Sequence, residues 1–266
     1  MREKKKRFLF VVEGAKREMD AFGNLASVFF NDKSDVIAIP VPADMNIYML
    51  YDVMKKDGFE TDIVEILKER VPKAKEILAD YTRDMFAEVY FFFDFDEHSN
   101  NLRKTTNVEA LKEMLGVLNN ETDLGKLYIS YPMVEALRDY VEKDCSLSSG
   151  GCFINRMDFG KYKNSSSSNT KHNSVKDYTF AEWKDILYSF VMRSSCLFGI
   201  HDLDRDAFIN DVNPLAVFNK QMIGYKENES IFVLSCLPEF IIDYSENYWN
   251  AALQRRRKFS KKKSCK

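Results

Sequence analysis

The chain has 266 residues, of which 45% are hydrophobic and 30% are charged. This composition is typical of a folded soluble protein and excludes an intrinsically disordered one, and the length suggests about one or two domains. The five cysteines form an odd set without a Cys-x-x-Cys pair, which argues against structural zinc and a disulfide framework. No apolar run approaches the roughly 20 residues that a membrane span needs, so we expect a cytoplasmic protein without a membrane partner.

The net charge of −2 hides an uneven distribution of charge along the chain. Residues 255–266 carry eight Lys or Arg and no acidic residue, and residues 1–7 are also basic. A basic tail of this kind binds phosphate backbones without reading sequence, and it is equally typical of a solvated end that keeps a protein soluble. We therefore predict a basic tail over 255–266 and leave its nucleic-acid binding open.

Continuous apolar runs alternate with stretches of helical spacing through the first half of the chain. The runs predict strands over 8–12, 36–39, 89–93 and 127–129, with Pro40 and Pro42 closing the second strand. Apolar residues at helical spacing predict helices over 15–30, across 44–86 with a break at Pro72, over 108–118 and from Met133 onward. Strands that alternate with helices indicate an α/β fold with a mainly parallel sheet.

The second half of the chain departs from this alternation. Residues 145–178 contain two serine-rich stretches with many polar neighbours, and we interpret them as a loop or insert. Residues 179–254 are predicted to form an additional α-rich region, with a helix over 180–197 and a closing strand near 230–235. Pro238 suits the first turn of a last helix that runs toward Leu253.

Acidic residues directly follow three of the predicted strands. Glu13 comes after the first strand, Asp94 and Asp96 come after the aromatic third strand, and Glu135 lies in the first turn of the helix after the fourth. Ligands of open parallel sheets bind outside the carboxyl ends of the strands. We therefore expect these side chains to contribute to one site.

The chemistry of this acidic set favours a hard metal ion. If extended geometry continues past the third strand, Asp94 and Asp96 point to the same side and Phe95 points to the other. Mg²⁺ is held by one or two carboxylates together with water and substrate phosphate, and Glu13 would complete the shell or hold a proton-transferring water. Any one of these acids alone is more often a strand-end or capping residue, so the hypothesis depends on their combination.

Positive side chains are needed beside a phosphate, and the sequence offers only weak candidates. Lys16, Arg17 and Arg138 lie near the acids in sequence, although each is more often a solvated helix residue. A second acidic cluster, His201–Asp206, is explained at least as well by a solvated turn as by a metal site.

Three motifs resemble those of a known superfamily. Phe8–Gly14 followed by Glu18 resembles the first motif of Toprim proteins, and the spacing Glu-Gly-x-x-x-Glu is similar to that of the RloB-like group. Phe91–Asp96 is similar to the Asp-x-Asp motif, and Ile129–Glu135 resembles a third stretch, Ser-x-Pro-x-x-Glu. One departure is Arg17, which stands where the RloB-like motif often has Thr.

The likeness covers residues 7–140, with the closing strand and helix at 230–253 as a further candidate stretch, and implies a Toprim-like Rossmannoid core in which 44–86 is a helical insertion. Residues 145–229 match nothing in the family. By this resemblance Glu13, Asp94 and Asp96 bind Mg²⁺, or Mn²⁺ in its place, and carry catalysis. Glu18 and Glu135 match the RloB-like and OLD-like variants, in which further acids support a second metal.

The resemblance implies a metal-dependent nuclease that cuts transfer RNA or DNA as an anti-phage or abortive-infection effector. An ATPase partner would have to be another chain, because no GxxxxGK[ST] sequence is present. A homo-oligomer, and one metal or two, are left open. The alternatives are a primase-like or ligand-hydrolysing Toprim enzyme, and a non-catalytic sensor or subunit that binds an ATPase or a phage protein.

Overall fold

The computed structural model describes residues 5–14, 16–30, 34–41, 46–60, 62–95, 105–139, 152–166 and 174–253. The chain divides into two compact units, Met1–Tyr128 and Ile129–Lys266, and the division falls inside a β-strand. The sequence placed the end of the Toprim-like core near residue 140, and that boundary stays a prediction. The predicted basic tail at 255–266 lies outside the described residues.

The first unit is built on a five-stranded sheet. Its strands are β1 (Lys6–Glu13), β2 (Ser34–Val41), β3 (Glu88–Asp94), β4 (Asn119–Asn120) and β5 (Gly125–Ser130). Their order across the sheet is β2-β1-β3-β5-β4. β1 runs parallel to both β2 and β3, whereas the short β4 is antiparallel to β5. This mostly parallel sheet, combined with many helices, confirms the predicted α/β class and is consistent with a Rossmann-like fold.

The two central strands carry the aromatic core of this unit. Phe8–Val12 and Val89–Phe93 are buried along their whole length, as their unbroken apolar runs predict for strands covered on both faces. Phe10 meets Phe22 at 5.8 Å and Phe92 at 5.3 Å between ring centroids, both edge to face. The aromatic stretch of β3 therefore belongs to the core and is not an exposed surface on which bases could stack.

β2 is longer than its sequence predicted. Pro40 was expected to close the strand, but β2 continues through it to Val41, and Pro40 lies opposite Val12 of β1. The reason is the position of β2 at the edge of the sheet, where a proline is tolerated because its missing N–H removes no bond from a central ladder. Pro42 lies outside the described residues.

In the described part of the first unit, five α-helices connect the strands. They are α1 (Arg17–Phe29), α2 (Ile47–Lys56), α3 (Ile63–Arg70), α4 (Pro72–Ile77) and α5 (Asn107–Val117). Asn46 begins α2 by accepting two backbone N–H groups at 3.2 Å, and Thr106 and Glu109 form a capping box at α5. The helix break predicted at Pro72 is confirmed, because Pro72 is the first residue of α4.

A buried tyrosine joins α2 to α5. The Tyr51 hydroxyl donates to Oε2 of Glu113 at 2.6 Å, and Lys55 pairs with the other oxygen of the same carboxylate. Burial, followed by the hydrogen bond to Glu113, raises the pKa of Tyr51 from 10.0 to about 12. The folded state thus favours the neutral phenol, and the resulting stability is complete below pH 10.0 and is lost as the pH rises toward 12.

Exchange of this tyrosine for phenylalanine gives a prediction for alkaline pH. The free energy of unfolding of Tyr51→Phe should fall less steeply between pH 10.0 and about 12 than that of the wild type. Urea denaturation at a series of pH values measures this slope, and tyrosinate absorbance reports the titration itself. Parallel curves for the two proteins across this interval would show that Tyr51 is not the responsible group.

The second unit is mainly helical, with one small sheet. Its elements are β6 (Phe153–Asn155), α6 (Phe159–Ser166), α7 (Phe180–Phe198), α8 (Arg205–Asp211), α9 (Pro214–Asn228), β7 (Ser230–Phe232), α10 (Cys236–Tyr244) and a helix over 246–253. β6 and β7 pair antiparallel. The predicted helix at 180–197 and closing strand near 230–235 are confirmed by α7 and β7. No helix in the ranges that the structure describes is long and apolar enough to cross a membrane.

Two features of this unit differ from expectation. The stretch 145–178, predicted as a loop or insert, contains β6 and α6, because Tyr162 is buried against Ala136 and Val233 and Ile154 packs onto the same cluster. The single last helix predicted from Pro238 is interrupted at Ser245, whose backbone is extended. In the first of these places, packing partners far along the chain decided the outcome.

Candidate functional site

The path of the chain through the sheet creates a switch point between β1 and β3. From β1 the chain passes through α1 to β2 on one side, and it later enters β3 on the other side of β1. Because β1 and β3 are parallel, their carboxyl ends lie at the same edge. In open α/β sheets, ligands bind in the crevice outside the strand ends at such a reversal. The fold therefore designates the ends of β1 and β3 as the place for a site.

Both strands end in an acidic residue at this position. Glu13 is the last residue of β1 and Asp94 the last of β3, and both are half-buried where the strand residues before them are fully buried. The backbone N–H of Asp94 donates to Oε2 of Glu13 at 3.0 Å. The Asp94 backbone and the Glu13 carboxylate, 81 positions apart in sequence, are thus in contact, and the shared metal site predicted for the two side chains stays a prediction.

The carboxylate of Glu18 lies against the turn that follows Glu13. Gly14 has a left-handed backbone with φ of 95°, and its N–H donates to the carbonyl of Val41 at 3.0 Å. A Cβ at Gly14 would lie only 2.9 Å from Oε1 of Glu18, so the Glu18 carboxylate rests on this turn. Glu18 also lies in the first turn of α1, where the helix dipole stabilises a negative charge.

The sequence also predicted Asp96 and Glu135 as residues of this site. Asp96 lies outside the described residues, so its expected alignment with Asp94 stays a prediction. Glu135 belongs to the second compact unit, where it is buried in the short 3-10 helix Val134–Asp139. Its membership of the predicted metal site also stays a prediction.

The donor chemistry of the site fits a hard cation. Among the described residues, no group of three or more His, Cys, Asp or Glu is arranged to hold a metal ion. The described range that contains β3 ends at Phe95. Mg²⁺ does not require such a group, because it keeps several waters and uses one or two carboxylates plus substrate phosphates. Glu13 and Asp94 carry carboxylate oxygens of that kind at the ends of β1 and β3.

The structure describes the side chains of two of the three candidate cations and all of the second acidic cluster. Lys16 is exposed at the N-cap position of α1, directly after the Gly14 turn, and its side chain makes no capping bond. Arg138 is half-buried in the second unit, and the side chain of Arg17 is outside the description. In the His201–Asp206 cluster, Asp204 caps α8 by accepting the N–H of Ala207 at 3.0 Å. Helix capping therefore accounts for Asp204 without a metal ion.

Gly14 is part of the first sequence motif, but the sequence did not predict a structural role for it. Gly14 allows the left-handed turn after β1 and leaves the space in which the Glu18 carboxylate lies. The available signal was a glycine directly after a strand-end glutamate, with a second acid four residues later. That signal predicts a turn, but the contact with Glu18 depends on side-chain direction, which spacing alone does not fix.

Comparisons with known proteins add nothing to the geometry of the site. No model of a known protein family matches the chain, and neither the curated proteins nor the solved structures give a match.

Proposed function

We propose that this chain is a Mg²⁺-dependent nuclease. The proposal is carried by one observation: Glu13 and Asp94, at the ends of two adjacent parallel strands, meet at the switch point of the sheet. The resemblance of the surrounding motifs to Toprim proteins, in particular the RloB-like group, supports the same class of reaction. In this proposal Asp96 and Glu18 are further candidate ligands, as the family likeness implies.

The residues of the site have distinct roles in the proposed reaction. Glu13 and Asp94 would hold Mg²⁺ through carboxylate oxygens. The bound ion would supply Lewis-acid stabilisation of the charge on the scissile phosphate. Glu13 also orients the attacking water or takes its proton, since its carboxylate is fixed by the bond from Asp94. Lys16 contacts substrate phosphate from the start of α1.

The substrate and the biological role follow from the family likeness and are part of the proposal. Transfer RNA and DNA are the two substrates to compare, and anti-phage defence beside an ATPase partner is the proposed context. The basic residues 255–266 would add affinity for the phosphate backbone of either substrate without reading its sequence.

The direct test is cleavage and metal binding by the purified full chain. Labelled transfer RNA and supercoiled plasmid are incubated with the protein in Mg²⁺, in Mn²⁺ and in EDTA, and Mn²⁺ binding is measured separately by electron paramagnetic resonance. We expect cleavage of one substrate that EDTA abolishes, together with bound Mn²⁺. A protein that binds neither Mn²⁺ nor nucleic acid would contradict the proposal, and nucleic-acid binding without metal would favour the non-catalytic alternative.

The proposed role of Lys16 leads to a prediction about salt dependence. Lys16→Ala should weaken nucleic-acid binding and reduce the slope of log affinity against log salt by about 0.7 to 0.9, the contribution of one phosphate contact. Fluorescence anisotropy with a short labelled oligonucleotide across a salt series measures both quantities. Lys73→Ala, at an exposed position of α4, is the matched control. Equal slopes for the two variants would remove Lys16 from the interface.

A further inference from the structure

The strand β2 forms one edge of the five-stranded sheet, and its backbone direction can be read from a single bond. The Gly14 N–H donates to the carbonyl of Val41, so the backbone groups of Val41 face β1. The register between β1 and β2 is unbroken, and successive residues of a strand alternate, so every second residue before Val41 also faces β1. The residues between them face away from the sheet: Ser34, Val36, Ala38 and Pro40.

This outer edge of β2 is open for pairing. Its outward backbone groups have no hydrogen-bond partner among the residues that the structure describes. Pro40 protects the carboxyl end, but the stretch from Ser34 to Ala38 contains neither a lysine nor a bulge. The side chains of Val36 and Ile37 in this stretch are only partly buried. An apolar edge with free N–H and C=O groups is a template for another strand.

We propose that β2 pairs antiparallel with β2 of a second copy of this chain, about a twofold axis at Val36. In this register Val36 lies opposite Val36 of the second copy, and Ser34 lies opposite Ala38. Each opposed pair exchanges both of its N–H···O bonds, so every outward group from Ser34 to Ala38 is bonded. Pro40, which has no N–H to donate, falls outside the paired stretch.

The charges along this edge favour a second copy over a foreign strand. Asp35 is the charged residue of the stretch, and its carboxylate pairs with Lys5 at 3.7 Å and Arg7 at 3.9 Å in its own chain. Two identical edges can therefore approach without unpaired like charges, and no unpaired charge in the stretch selects an oppositely charged partner. Ile77 of α4, which packs against β2, is 36% exposed and adds apolar surface beside the edge.

The test is the oligomeric state of the full chain, followed by analytical ultracentrifugation. An edge of this length buries less than the roughly 1,200 Å² of a standard interface, so we expect a reversible dimer at micromolar concentrations. Val36→Lys and Val36→Glu each place like charges opposite one another and should weaken dimerisation more than about tenfold. An equal mixture of the two variants should dimerise again, because position 36 opposes itself only in the proposed register.

Two further measurements separate pairing from folding. Val53→Lys changes a partly exposed valine of α2, which packs on α5, and should dimerise like the wild type. Hydrogen exchange of the wild type needs no substitution: the Val36 amide should become protected as concentration rises. The amide of Ile37, which faces β1, should be protected at every concentration.

The outcomes that would overturn the proposal do not involve the metal site. A wild-type chain that stays monomeric, with a Val36 amide that exchanges equally fast at all concentrations, would exclude a second copy and leave the edge to a strand of another protein. Dimerisation of Val36→Lys alone, or a mixture of the two folded variants that stays monomeric, would overturn the twofold register. The proposed nuclease activity is unaffected by either result, since the pairing uses neither Glu13 nor Asp94.

Discussion

Replacing Asp94 with asparagine is expected to reduce metal-dependent cleavage by about a thousandfold, because a metal ion contributes several kcal/mol to the stabilisation of transition-state charge. The substitution keeps the size of the side chain but removes the negative charge that would hold the ion. Glu13→Gln should have an effect of similar size, since the two residues share one position at the end of the sheet.

The two substitutions are chosen so that folding is preserved. The bond between these residues runs from the backbone N–H of Asp94 to a side-chain oxygen of Glu13. In Glu13→Gln the new amide retains a carbonyl oxygen that can accept this bond, and Asp94→Asn leaves the backbone donor unchanged. Cleavage rates in Mg²⁺ and thermal unfolding curves should therefore separate, with rates lost and melting temperatures nearly unchanged.

A chemically identical change at another acidic position provides the control. Asp80 is exposed on the turn that precedes the amino end of β3, so Asp80→Asn removes one negative charge away from the switch point. It should cleave at the wild-type rate. Equal cleavage by wild type and Asp94→Asn would show that the acidic pair has no part in the reaction and would sink the proposed function.

The second large effect is expected on stability, at a glutamine in the second unit. Gln221 of α9 is 2% exposed, and its amide forms two hydrogen bonds of 2.7 Å with the backbone N–H and carbonyl of Phe232. Val233 pairs with Cys152 on the other side of β7, so the groups of Phe232 point toward α9. The side chain thus takes the place of a neighbouring strand.

Gln221→Leu should lower the free energy of unfolding by about 3 kcal/mol or more. It leaves a buried donor and a buried acceptor unsatisfied, and each costs about 1–3 kcal/mol. Urea denaturation measures the loss, and faster hydrogen exchange at the amide of Phe232 locates it. Lys220→Leu, at the exposed neighbouring position of the same helix, is the control and should stay within about 0.5 kcal/mol of wild type. Equal losses for the two variants would contradict the bridging role.

Several features of this protein are determined locally by its sequence. The unbroken apolar runs at 8–12 and 89–93 specify strands buried on both faces, and their alternation with helical stretches specifies the α/β class. Pro72 marks a helix boundary because its ring excludes the preceding turn. Glu13 and Asp94 can also be identified locally, because each directly follows one of these apolar runs in the sequence.

Other features were decided only by tertiary structure. The strand order β2-β1-β3, which makes a switch point between Glu13 and Asp94, depends on pairing between segments far apart in the chain. The same is true of Pro40, which stays in a strand because β2 is at the edge. Tyr162 likewise draws part of a serine-rich stretch into the core. Local propensities extend over a few residues, whereas pairing and burial depend on contacts across the fold, so the sequence named the acids and the fold brought two of them together.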